Sequence, residues 1–220
     1  VKTNLQKSAG IAALYMAAAH LTGIIIFIAI LNYPAIIDPA QKLAVNMEQQ
    51  NVVFITNLLM YVIFGFALIV LSLGLYERLK EGALALMQAA VAVGIIWAGS
   101  LIASGMVANA GLAAVAPTYA SDPAQAVQTW QGIEAVANGL GNANGEILGG
   151  PLTLLISLAG LRSNRLPKAL NILGVVVGLV GIVSIIPASS SLTAIFGINQ
   201  IIWFIWLGVV LLRGTRQPAA

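Results

Sequence analysis

Residues 52–80 read VVFITNLLMYVIFGFALIVLSLGLYERLK, which is 25 residues without a charge followed by a short run holding Glu77, Arg78 and Lys80. Crossing ~30 Å of hydrocarbon takes ~20 predominantly apolar helical residues, so the first part predicts a transmembrane helix and the charged run its exit. The same pattern repeats along the chain. Six spans are predicted at 9–31, 52–75, 83–107, 137–161, 169–187 and 195–213, the third extendable to Ala116. The expected fold class is all-α, a polytopic membrane helical bundle of six transmembrane helices, with residues 1–220 forming a single membrane domain.

Composition agrees. Only 8% of the 220 residues are charged, against the roughly 25% usual in soluble domains, and the mean hydropathy is +0.96. The basic start leads into an apolar run at 9–31, longer than the ~7–15 residues of a signal-peptide core, so it reads as a retained helix. The net charge of +3 is dispersed over short connections instead of forming one patch, which argues against nucleic acid as a partner.

The ten basic residues set the expected orientation. Lys2 and Lys7 precede the first span, Arg78 and Lys80 separate the second from the third, Arg162, Arg165 and Lys168 the fourth from the fifth, and Arg213 and Arg216 follow the sixth. Lys42 alone falls on the other side. By the positive-inside rule both termini are expected in the cytoplasm, which makes this a multi-pass protein of the cytoplasmic (inner) membrane with the lipid bilayer as its first partner.

The two long outer connections, IIDPAQKLAVNMEQQN (36–51) and ASDPAQAVQTWQGIEA (120–135), share Asp-Pro-Ala-Gln at an offset of 84 residues. Aspartate caps a helix, proline suits the first turn and glutamine follows at capping-box spacing, so each predicts a short helix on the outer surface. LSLGL (71–75) and ISLAGL (156–161) recur at a similar offset. An internal duplication and chance similarity between apolar segments are both open.

Residues 132–151, GIEAVANGLGNANGEILGGP, are unusually polar for a span. On one continuous helix Glu134, Asn138, Gly141, Asn142, Gly145 and Gly149 share a face, with Glu146 beside them and a kink expected at Gly149-Gly150-Pro151. Two readings stand. Gly141, Gly145 and Gly149, like Gly174 and Gly178 in the fifth span, have the four-residue spacing that lets helices pack closely. Glu146 is instead an ionisable group within the bilayer, which marks a functional candidate.

The candidate ligand site is therefore Glu146, Asn142 and Asn138 on the fourth span, with His20, Asn57 and Asn199 from other spans at comparable depth. Thr56, Ser100, Ser104 and Gln200 fall at a similar level. His20 is the sole histidine, suited either to an interhelical hydrogen bond or to proton handling with Glu146. Trp97, Trp203 and Trp206 suit aromatic packing, and an apolar ligand near them stays open. Tyr33, Tyr76, Tyr119 and Trp130 read as interfacial anchors.

The searches for chemistry return little. There is no cysteine, the two aspartates Asp38 and Asp122 both lie in outer connections, and no HExxH or P-loop occurs. Thiol, paired-aspartate, zinc and bis-histidine haem chemistry are thereby excluded, so no catalytic residue, metal site or cofactor is predicted.

The segment LRSNRLPKALNILGVVVGLVGIV (161–183), a basic turn passing through Leu166-Pro167-Lys168 into a glycine-spaced helix, and the opening KSAGIAALYMAAAHLTGI (7–24) resemble an uncharacterised bacterial family of integral membrane proteins, domain of unknown function 4386. More aromatic residues would be expected after the proline than Ala169–Ile172 provide. The resemblance implies a multi-helix membrane fold and no activity. The expected function is a non-enzymatic membrane protein binding or passing a small polar or ionic ligand through an outward-facing site on a kinked fourth helix. The alternative is an accessory subunit packing through its glycine faces onto a second copy or other membrane proteins.

Overall fold

The computed structural model describes residues 2–141, 145–186 and 190–214. Asn142, residues 187–189 and Arg216 lie outside the described residues. Among those described the chain is helical, with no strand. Helix α1 (Lys2–Ile24) continues into a π-helical turn (Ile25–Ile30), and a 3-10 turn (Tyr33–Ala35) leads to α2 (Pro39–Glu48). Then α3 (Gln50–Asn57), a second π turn (Leu58–Ile63) and the long α4 (Phe64–Ser121) follow, and α5 (Pro123–Leu140), α6 (Gly149–Ser163), α7 (Lys168–Val183) and α8 (Ser190–Arg213) complete the order.

Three helical runs are long and apolar enough to cross a membrane: Asn4–Ile30, Gln50–Ser121 and Ser191–Arg213. The middle run contains both the second and the third predicted spans. It is interrupted at Ala83, whose φ of −153° and ψ of 47° are not helical. Gly94 approaches Ser72 closely, so the two halves fold back on one another about that bend. The apolar α7 is shorter, at 16 residues.

The fourth predicted span, 137–161, is corrected. Instead of one kinked helix the chain ends α5 at Leu140 and starts α6 at Gly149. Gly145 has a φ of +85°, a conformation that side-chain-bearing residues rarely adopt, and a Cβ there would stand 2.6 Å from the Ser184 carbonyl oxygen. Helix cannot run through that position. Pro151 is then the third residue of α6, where its missing N–H is one that the first turn leaves unpaired anyway, so it begins a helix and does not bend one. The polar stripe from Glu134 to Gly149 is divided between two elements.

The outer helices are also refined. Asp38 caps α2, its carboxylate accepting from the N–H groups of Ala40 and Gln41 at 3.2 Å. Asp122 caps α5 through the Gln125 N–H at 3.0 Å. The first of these helices is short, whereas α5 has 18 residues.

The chain divides into two compact units. The first takes in Val1–Ala18, Gly65–Gly99 and Asn144–Ala220. Its centre is α7 between α6 and α8. A Cβ on Gly178 would fall 2.7 Å from the Leu154 backbone nitrogen, and one on Gly150 would fall 2.7 Å from that of Ile182, so α6 and α7 approach backbone to backbone. Gly10 and Gly208 bring α1 and α8 together similarly.

The second unit takes in Ala19–Phe64 and Ser100–Ala143. Leu43 from α2, Val53 from α3, Leu112 and Val115 from α4 and Trp130 from α5 build its buried apolar cluster. Here α2 packs along α5. Both π turns belong to this unit. Such turns widen the helix and re-aim side chains, and they occur frequently at functional sites.

Candidate functional site

A cavity of about 190 Å³ lies wholly within the second unit, where α2, α5, the two π turns and the C-terminal half of α4 converge. A cavity on the order of 150 Å³ holds a benzene-sized molecule, so this one is large enough for a small ligand. Each π turn contributes an aromatic residue to the wall, Phe27 from the first and Tyr61 from the second, and Tyr33 and Trp130 add two more.

The charged part of the site joins α2 to α5. Lys42 Nζ is 2.8 Å from Glu134 Oε1, with about a quarter of either side chain exposed. The same ammonium stands 5.3 Å from the centre of the Tyr33 ring, within cation–π range. The Tyr33 hydroxyl donates to Asn46 Oδ1, and its ring meets Phe27 at 5.2 Å between centroids. Burial first, and the Glu134 carboxylate second, push the Tyr33 phenol well above its ordinary pKa.

Amides complete the lining. Asn57 is buried and donates from Nδ2 to Asn109 Oδ1 at 2.9 Å, while Asn109 donates to the Phe54 carbonyl. Ser104 donates to the Ala137 carbonyl at 2.8 Å. Gly141 allows that approach, since a Cβ on it would come 2.5 Å from the Ser104 hydroxyl. Trp130 is only 5% exposed, and its indole Nε1–H has no acceptor among the described residues. A buried donor left without a partner carries a desolvation cost of about 1–3 kcal/mol.

Of the residues singled out from the sequence, Asn57 and Asn138 line this cavity. His20 belongs to the same unit, where its ring meets Phe64 edge-on at 5.0 Å. Glu146 and Asn199 belong to the other unit. Asn199 donates to the Ile195 carbonyl of its own helix at 2.8 Å. Glu146 is buried, its backbone N–H donates to Ser184 Oγ at 3.1 Å, and its Oε2 has no partner among the described residues.

That carboxylate lies against Gly149, because a Cβ there would stand 2.7 Å from Oε2 and 3.1 Å from ring atoms of Trp97 and Phe196. Trp203 is buried near Gly174 and Ser157, and Trp206 is half-exposed. No group of three His, Asp or Glu side chains able to hold a metal ion occurs among the described residues.

Comparison with known protein families assigns this chain to one of them. It belongs to the DUF4386 family, a domain of unknown function. The family's model matches residues 9–212, which takes in both units and every residue of the cavity. No curated protein matches this DUF4386 chain, and no solved structure does.

Four residues of the site were not chosen from the sequence. Tyr33 and Trp130 read as interfacial anchors, Lys42 as the lone cation expected on the outer side, and Glu134 as the first residue of the polar face but not as a ligand contact. The signal that bore on them was the repeated Asp-Pro-Ala-Gln, which starts the two helices that carry Lys42 and Glu134.

Proposed function

We propose that this DUF4386 chain is a non-enzymatic, multi-pass protein of the cytoplasmic membrane that binds or passes a small polar or ionic ligand at the cavity between α2 and α5. In this reading the six apolar helical stretches cross the bilayer and both termini are cytoplasmic. Helices α6 and α7, about 22–24 Å long at 1.5 Å per residue, cross with the help of their flanking turns. The cavity then opens on the outer side, at the level of the Asp-capped helices.

The observation that carries the reading is an ion pair and several amides converging in one aromatic-walled cavity. Ligand sites are typically apolar hollows with a few convergent polar groups. The accessory-subunit reading draws less support. Gly174 and Gly178 are turned onto this chain's own helices, and so are not free for docking another protein.

Binding to the folded state raises stability by mass action, about 2.7 kcal/mol at a hundred times Kd. The test is thermal unfolding of the purified chain with a panel of small solutes (sugars, anions, cations and zwitterions), run beside Ala108→Phe, which fills the cavity. At least one solute is expected to raise the melting temperature of the wild type and not that of the filled variant. A panel that shifts neither, or both equally, would contradict a site at this cavity.

A further inference from the structure

We infer that the ligand of this cavity is a small zwitterion, carrying an ammonium or quaternary ammonium and an anionic group a few bonds away. The inference rests on the site reading above and specifies its chemistry.

The cavity holds one position where a cation lies at once on a carboxylate and over an aromatic face, and Lys42 Nζ occupies it, 2.8 Å from Glu134 and 5.3 Å from the Tyr33 centroid. Aromatic faces beside a carboxylate are the chemistry that recognises ligand ammonium groups. Lys42 reaches that position on a flexible four-carbon stem, so a ligand cation can replace it there.

Charge balance selects the rest of the ligand. The pair is self-neutralising and about a quarter exposed, and a ligand seated on it takes away the remaining water. A simple cation would take Glu134 and leave Lys42 covered and unpaired. A simple anion would take Lys42 and strand Glu134 beside the Tyr33 ring. An unpaired charge removed from water is strongly unfavourable. A zwitterion exchanges partners instead: its ammonium sits on Glu134 and Tyr33, its anionic end on Lys42, and four charges stay in two pairs.

The surplus of donors points the same way. Lys42 has three N–H groups and directs one of them at Glu134, so an anionic end takes another. The wall aromatics Phe27, Tyr33 and Tyr61 cover the ligand's methylene or methyl groups. Two sources supply such chemistry, a free solute such as an amino acid or betaine, and the ethanolamine headgroup of a phospholipid.

The test uses the full chain in nanodiscs of phosphatidylglycerol alone. Calorimetric titration with glycine betaine and β-alanine is compared with their separate halves, choline and acetate. A second arm adds phosphatidylethanolamine to the nanodisc and identifies retained lipid by native mass spectrometry. The expected result is that a zwitterionic solute binds at least tenfold more tightly than either half, or that phosphatidylethanolamine is retained selectively over phosphatidylglycerol.

Glu134→Gln should reduce that binding by tenfold or more. Equal or tighter binding of choline or acetate would overturn the zwitterion while leaving a ligand site in place, as would a sugar or simple ion scoring in the thermal panel. No binding in either arm overturns it as well. The wild-type comparison of whole ligand with halves stands even if a variant fails to fold.

Discussion

Single glycines in this chain do opposite things, and their surroundings decide which. Gly178 lies where a Cβ would come 2.7 Å from a backbone nitrogen of α6, whereas Gly132, in the middle of α5, has nothing within 4 Å. Gly178→Ala should therefore destabilise by about 1–3 kcal/mol through overpacking. Gly132→Ala should stabilise by about 0.5–1 kcal/mol, because it removes only backbone freedom within a helix. Chemical or thermal unfolding in detergent reads both signs, and equal effects would refute the packing assignment. Sequence spacing marked Gly178 but could not separate these cases, since four-residue periodicity does not say whether a neighbour is present.

Tyr33 offers a second residue-level check. Below pH ~10 the phenol is protonated in both folded and unfolded chains. Because burial and Glu134 raise its folded pKa, the unfolded chain loses this proton first as pH climbs, so it binds fewer protons and folding stability falls. Absorbance titration of the chain's five tyrosines should show one phenol fewer ionising far later than pH 10 in Tyr33→Phe than in the wild type. If every tyrosine titrates near 10, Tyr33 is not buried beside a carboxylate.

At the scale of elements, what could be read in advance was local. The Asp-Pro-Ala-Gln pairs start α2 and α5 with the aspartate as cap, because capping depends on residues within one turn. Asp38→Ala and Asp122→Ala should each weaken stability by about 1 kcal/mol, with Asn in place of Asp restoring most of it. Loss of helical circular dichroism at lower temperature is the readout, and no change in either variant would argue against the caps.

The broken fourth span was less legible. A helical wheel assumes a continuous helix, and the break at Gly145 depends on the close approach of the Ser184 carbonyl, far away in sequence. The cavity was half legible for the same reason. Asn57 and Asn138 stood out as polar residues at span ends, but the pairing of Lys42 with Glu134 depends on how α2 lies along α5.

For the molecule as a whole, the asymmetry of lysine and arginine predicts a topology that the lack of cysteine makes easy to examine. Ser121→Cys, at the end of α4, should react in intact cells with a membrane-impermeant maleimide. Ala169→Cys, at the start of α7, should react only after the membrane is opened. The reverse pattern would invert the orientation and place the cavity on the cytoplasmic side.

The central claim is that the α2–α5 cavity is a ligand site. A structure of the full chain in lipid nanodiscs, determined with glycine betaine and again with phosphatidylethanolamine, tests it directly. The account predicts ligand density in at least one of them, between Glu134 and the Tyr33 ring, with its anionic end toward Lys42. A cavity closed by protein side chains, or one holding only water under both conditions while Lys42 stays on Glu134, would contradict it.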